Sequence, residues 1–98
     1  MEFELEAVAG GALRIAGNMT VYSAGDLKTA LLAQTMVGQS VLDLDLSQVR
    51  EFDTAGLQLL LMLKRRTQGQ MRIVSCSHAV RGTLSLCHLH ALVAPEAA

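Results

Sequence analysis

Apolar and charged residues alternate at four places along this chain. Phe3, Leu5 and Ala7 are interleaved with Glu2, Glu4 and Glu6, and Leu13 and Ile15 flank Arg14. Leu42, Leu44 and Leu46 alternate with Asp43 and Asp45, and Met71 and Ile73 flank Arg72. A period of two puts the apolar side chains on one face of a strand and the charges on the other. Gly10-Gly11 supplies the turn that makes the first two segments a hairpin. Strands buried on both faces read as unbroken apolar runs, so this alternation predicts a sheet with one face under helices and one face wet. On the wet face the acids would meet Arg14 and Arg72 in cross-strand pairs of a few tenths to ~1 kcal/mol each. That face is expected to serve solubility and strand register, not catalysis.

Helical spacing fills the intervals. Tyr22 to Val37 carries Leu27, Leu31 and Leu32 and is bounded by Gly38; Ala55 to Thr67 forms a second helix and His78 to Leu89 a third. The order strand, strand, helix, strand, helix, strand, helix predicts an α/β domain: a mixed sheet of four or five strands, an N-terminal hairpin, and helices mainly on one face. Residues 1–98, 51% apolar, fit a single domain that hides about two thirds of its unfolded surface. The second helix has more apolar surface than one stripe needs, with Leu57, Leu59, Leu60, Leu61, Met62 and Leu63 crowded before Lys64. Neighbouring helices or a partner must cover the excess, and in so small a domain a partner is the expectation.

Composition narrows the function. Eight basic and nine acidic residues give a net charge of -1, which carries no electrostatic footprint for nucleic acid. The basic run Lys64-Arg65-Arg66 is read as favourable charge at a helix C-terminus. Met1-Glu2-Phe3-Glu4 lacks the blocks of a signal peptide, so a cytoplasmic location is expected. The longest apolar stretch, Leu57 to Leu63, falls far below the ~20 residues that cross a bilayer, so direct membrane insertion is not expected. Cys76-x-His78 and Cys87-His88-x-His90 contain zinc-ligating atoms without a standard zinc spacing, and they are read as ordinary side chains. Ser75, Cys76, His78 and Asp53 make a catalytic set only on paper, so no enzymatic activity and no cofactor are expected. A phosphate-binding G-x-x-x-x-G-K-[ST] motif is absent from the sequence. Asp43, Asp45 and Asp53 raise an aspartate-phosphorylated receiver domain, which an acid-labile phosphate would reveal.

The segment Phe52-Asp53-Thr54-Ala55-Gly56-Leu57-Gln58 joins an acidic strand end to an apolar helix through one hydroxyl, that of Thr54. Thr54 stands where a helix N-cap belongs, a role worth about 1 kcal/mol. A helix start also favours negative charge, so the same atom is suited to carry a phosphate.

Val41-Leu42-Asp43-Leu44-Asp45-Leu46-Ser47 followed by Asp53-Thr54-Ala55-Gly56-Leu57 resembles the STAS family, the sulphate-transporter and anti-sigma-factor-antagonist domains. Leu13 to Gly17 is similar to the family's second strand, Ala24 to Leu31 to its first helix, and His78 to Leu86 to its last, so the likeness spans nearly the whole chain. The chain departs from the family in having Asn18-Met19 where many relatives carry an acidic pair. It also has Ala55 where Ser is common, which leaves Thr54 the one hydroxyl in the motif. The resemblance implies that Thr54 is a phosphorylation site. It also implies that Asp53, Thr54, Ala55, Gly56, Leu57, Gln58 and Leu61 form the interaction surface of a non-enzymatic switch. The implied partners are an anti-sigma-type serine/threonine kinase and a phosphatase that resets the switch. Within the same family, alternatives are an accessory subunit that contacts the ATPase of a phospholipid-trafficking ABC transporter, or a regulator in a chemotaxis or two-component pathway. Some relatives are reported to bind nucleotides, which equilibrium dialysis with GTP and ATP would detect.

Overall fold

A computed structural model describes residues 2–34, 41–89 and 92–93. Four strands, β1 (Phe3–Ala7), β2 (Leu13–Met19), β3 (Leu42–Phe52) and β4 (Met71–Cys76), form one sheet in the order β1-β2-β3-β4. The hairpin β1–β2 is antiparallel, whereas β2–β3 and β3–β4 are parallel. The helices α1 (Ala24–Gln34) and α2 (Thr54–Arg66) are the two crossovers, and α3 (His78–Leu86) follows β4. The architecture is the mixed α/β domain that the alternation predicts. Leu27 and Leu31 of α1, Leu57, Leu59, Leu60 and Leu63 of α2, and Val80 and Leu84 of α3 join Ile15, Leu44, Leu46 and Ile73 in one core. On the other face Arg14 pairs with Asp45 (3.0 Å) and Glu6 (3.5 Å), and Arg72 grips both oxygens of Asp43 (2.8 and 2.9 Å).

Element ends depart from the sequence reading, each for a local reason. The third strand was expected over Leu42 to Leu46 yet runs to Phe52. Its inward residues shift from Leu42, Leu44 and Leu46 to Val49 because a register shift against β2 intervenes, where the Asp45 carboxylate accepts the Ser47 N–H at 2.9 Å. An irregularity of this kind breaks the period that reveals a strand. The second strand passes Gly17, with Asn18 and Met19 still paired to β3. Gly17 has φ +99°, and a Cβ there would lie 2.4 Å from the Glu2 carbonyl oxygen, so the strand bends at a residue that must be glycine.

The first helix starts at Ala24, not at Tyr22. Thr20 to Ser23 form a turn in which the Ser23 hydroxyl donates to the Asn18 carbonyl (2.8 Å) and accepts the Thr20 N–H (3.1 Å). Its expected end, Val37 with Gly38, lies outside the described residues. The third helix stops at Leu86, short of Leu89, because His88 takes φ +58° and the Leu89 N–H bonds back to the Leu84 carbonyl at 2.7 Å. That closure usually uses glycine, so the sequence carries no sign of it.

Candidate functional site

The site grows from the junction of β3 and α2. Asp53 is extended (φ -128°, ψ -169°) and sits at the helix N-cap; its Oδ1 accepts the N–H groups of Ala55 (2.8 Å) and Gly56 (3.3 Å). This corrects the expectation that Thr54 caps the helix: the cap falls one residue earlier, and Thr54 is the first residue of α2. A carboxylate at this point satisfies two of the orphan N–H groups and lies at the positive end of the helix dipole.

The second oxygen of Asp53 reaches across to another element. Its Oδ2 accepts the Val21 N–H at 3.0 Å, while the Asp53 N–H donates to the Met19 carbonyl at 3.3 Å. One carboxylate therefore ties the turn before α1 to the start of α2. Gly56 makes this approach possible, since a Cβ there would lie 2.4 Å from the Met19 oxygen and 2.9 Å from the Phe52 ring. The glycine of the motif is a packing requirement between α2 and the end of β2.

Around this tie the expected site residues divide into two groups. Thr54 and Gln58 are exposed, and Ala55 and Leu61 are half-buried. Gly56 and Leu57 are buried, so these two of the expected interaction residues offer no exposed side-chain surface. The expectation that the apolar excess of α2 is mainly an interface is corrected in the same way. Leu59, Leu60 and Leu63 are also buried, and Leu61 and Met62 pack against the core from its margin. With β3 beneath and α1 beside it, the helix is covered by its own domain on more than one side.

Thr54 is left with nothing to hold. Its hydroxyl makes no hydrogen bond among the described residues, because Asp53 already occupies the N–H groups it would have capped. In the turn bonded to Asp53 stand Val21, 66% exposed, which the sequence reading did not single out, and Tyr22, 85% exposed, which it read as a helix start. Their signal was available in principle: a Thr-Val-Tyr-Ser run has both an apolar pair and a Ser that can close a turn. Only the bond from Val21 to Asp53 shows that this turn lies against the start of α2. Among the described residues, no three side chains of metal-ligating type cluster, and His90 lies outside them.

Comparisons with known proteins agree with this fold. A family model described as Mlab, STAS domain matches residues 5–94. The chain belongs to the STAS domain family. Among solved structures, an anti-sigma factor antagonist from Mycobacterium paratuberculosis superposes with a TM-score of 0.74 at 21% identity, covering 93% of this chain and 80% of that one. The anti-sigma factor antagonist SpoIIAA in its unphosphorylated form gives a TM-score of 0.71 at 17% identity, covering 94% of this chain and 85% of that one. At such identities the likeness is one of fold. No curated protein matches the sequence.

Proposed function

We propose that this STAS domain is a non-enzymatic docking module, bound by a protein partner at the start of α2 and released when Thr54 is phosphorylated. One observation carries the reading: Thr54 is an exposed residue whose hydroxyl has no duty in the fold, and it follows directly on Asp53, whose carboxylate ties the turn at Val21 to the start of α2. A hydroxyl so placed can be modified without unfolding the domain. The structural relatives are anti-sigma factor antagonists, one of them described in an unphosphorylated form, and a serine/threonine kinase is the partner of matching chemistry. A phosphatase would reset the switch. No step of this function needs a catalytic group or cofactor on this chain.

The mechanism is electrostatic. A phosphate brings about -1.5 to -2 charges, and helix N-termini often absorb such charge. Here the Ala55 and Gly56 N–H groups are already filled by Asp53, so the phosphate would stand next to that carboxylate and the exposed Glu51. A partner seated on this surface must then bury an unpaired dianion, at a cost of several kcal/mol, and each 1.4 kcal/mol is tenfold in affinity. Affinity should fall by on the order of a hundredfold or more. The test is to recover the partner with the wild-type chain, then titrate it against the Thr54→Ala, Thr54→Glu and phosphorylated forms. Thr54→Ala should bind as wild type, whereas the other two should lose binding with an unchanged melting temperature. Equal affinity for all forms would sink the charge switch.

A second reading has its own support, since the matching family model is described as Mlab. In it the same surface holds the ATPase subunit of a phospholipid-trafficking ABC transporter permanently, and Thr54 is a contact residue that is never phosphorylated. Recovery of an ATPase with a permease, and no phosphate on Thr54 in the native cell, selects this reading over the first.

A further inference from the structure

Beside Thr54 the facing surfaces of α1 and α2 leave a groove of about 360 Å³. Its floor is Ala24 from α1 and Ala55, Leu59 and Met62 from α2, and its rims carry Lys28 and Arg65. Ala55, Leu59 and Met62 are spaced i, i+4 and i+7, one continuous stripe of α2. From Ala55 to Arg65 the helix rises about 15 Å, the length of a three-turn helix laid alongside. Small side chains at the Thr54 end, Ala24 and Ala55, keep that end open.

The charge in this groove is one-sided. Lys28 and Arg65 have no carboxylate partner among the described residues, and no acid lines the groove. On the open sheet face Arg14 and Arg72 are both paired in the chain, while the exposed Arg50 and Glu4 have no ion-pair partner among the described residues. Two unmatched cations flanking an apolar trough of helical length complement one kind of ligand.

We propose that the groove between α1 and α2 seats an amphipathic helix of the protein partner, its apolar stripe on Ala24, Ala55, Leu59 and Met62 and its flanking carboxylates against Lys28 and Arg65. The inference rests on the reading that this end of the domain docks a protein, but not on phosphorylation of Thr54. Binding of a helix in a groove through regularly spaced apolar anchors, with flanking charge setting the choice of partner, is a general recognition mode.

The experiment displays three-turn amphipathic peptides with acidic, neutral or basic flanks against the whole chain, and measures affinity by fluorescence anisotropy and the footprint by amide shifts. Acidic-flanked peptides should bind best and move the amides of Gly25, Ala55 and Gln58. The double variant Lys28→Glu/Arg65→Glu should weaken them roughly tenfold at low salt, by an amount that shrinks as salt is raised. Met62→Gln, a neutral change at the groove floor, should weaken them without that salt dependence. Neutral or basic peptides binding equally well, acidic peptides untouched by the charge reversal, or no binder from any class would each overturn the proposal. Thr54→Glu separates the two ideas. Helical peptides that keep their affinity for Thr54→Glu while the natural partner also ignores it would end the switch but leave the groove standing. A partner that is lost on Thr54→Glu yet indifferent to Lys28→Glu/Arg65→Glu would do the reverse.

Discussion

The two faces of this domain spend their charge differently. On the open sheet face the carboxylates of Asp43, Asp45 and Glu6 are matched by Arg72 and Arg14 within the chain. At the α2 end the Asp53 carboxylate is consumed by backbone N–H groups, and the groove cations Lys28 and Arg65 find no acid partner among the described residues. Of the exposed apolar side chains, Val21 and Tyr22 stand in the turn before α1, whereas Leu86 ends α3 and Val41 precedes β3. Charges paired across strands help to hold register, whereas charge and apolar area left open together are the features a docking partner could use.

The contrast can be broken hardest at Gly56. Gly56→Ala forces a methyl into the Met19 oxygen and the Phe52 ring, and the backbone oxygen cannot yield cheaply. Such overpacking should lower stability by about 1–3 kcal/mol or more, read from the urea midpoint, and displace the α2 start from the turn at Val21. A midpoint equal to wild type would mean that α2 does not lie this close to β2.

Asp53 comes next, and two substitutions split its roles. Asp53→Ala removes the cap and should reduce stability by about 1–2 kcal/mol. Asp53→Asn can still cap the helix through its side-chain oxygen, so it should lose less than about 1 kcal/mol. Its amide NH₂ cannot accept the Val21 N–H, however, so the Val21 amide should exchange faster with solvent in both variants. Partner binding should then suffer nearly as much in Asp53→Asn as in Asp53→Ala. If Asp53→Asn binds as wild type, the tie to Val21 does nothing for docking.

Legibility in the sequence followed the same division. Elements with an unbroken period, such as Phe3 to Ala7 and the start of β3 at Leu42, could be read directly, as could the fold class that their order implies. What escaped were places where backbone geometry overrides the period: the shift at Ser47 that hides the second half of β3, and the left-handed His88 that ends α3. At the site, the motif Asp53-Thr54-Ala55-Gly56 was legible, but the division of labour inside it was not. Asp and Thr both cap helices well, and choosing between them required the backbone of Asp53 itself. The turn at Val21 was missed because its place at the start of α2 depends on a bond to Asp53 across 32 positions of chain, which no local pattern records.

The smallest effects belong to the open face. Arg72 holds the Asp43 carboxyl below its ordinary value of 3.8, chiefly by hydrogen bonding. Burial pushes the Asp45 carboxyl up, but the Ser47 hydroxyl and N–H and the Arg14 guanidinium outweigh it, and the net direction is also downward. A carboxyl whose folded pKa lies below its unfolded one contributes stability that is present above pH ~4 and is lost as pH falls through the folded value. Stability should therefore decline below pH 4 with a contribution from both aspartates, and Arg72→Ala and Arg14→Ala should each flatten part of that decline. At neutral pH Arg72→Ala removes a solvent-exposed pair worth about 0.2–1 kcal/mol. Arg14→Ala should fall at or above the top of that range, since it strips the cation from Asp45, which is only 8% exposed and is left with Ser47 as its partner. Urea titrations at pH 3 and pH 7 measure both. If Arg14→Ala is no more damaging than Arg72→Ala, burial of Asp45 matters less than its hydrogen bonds, and the register of β3 is held by the Asp45–Ser47 bond.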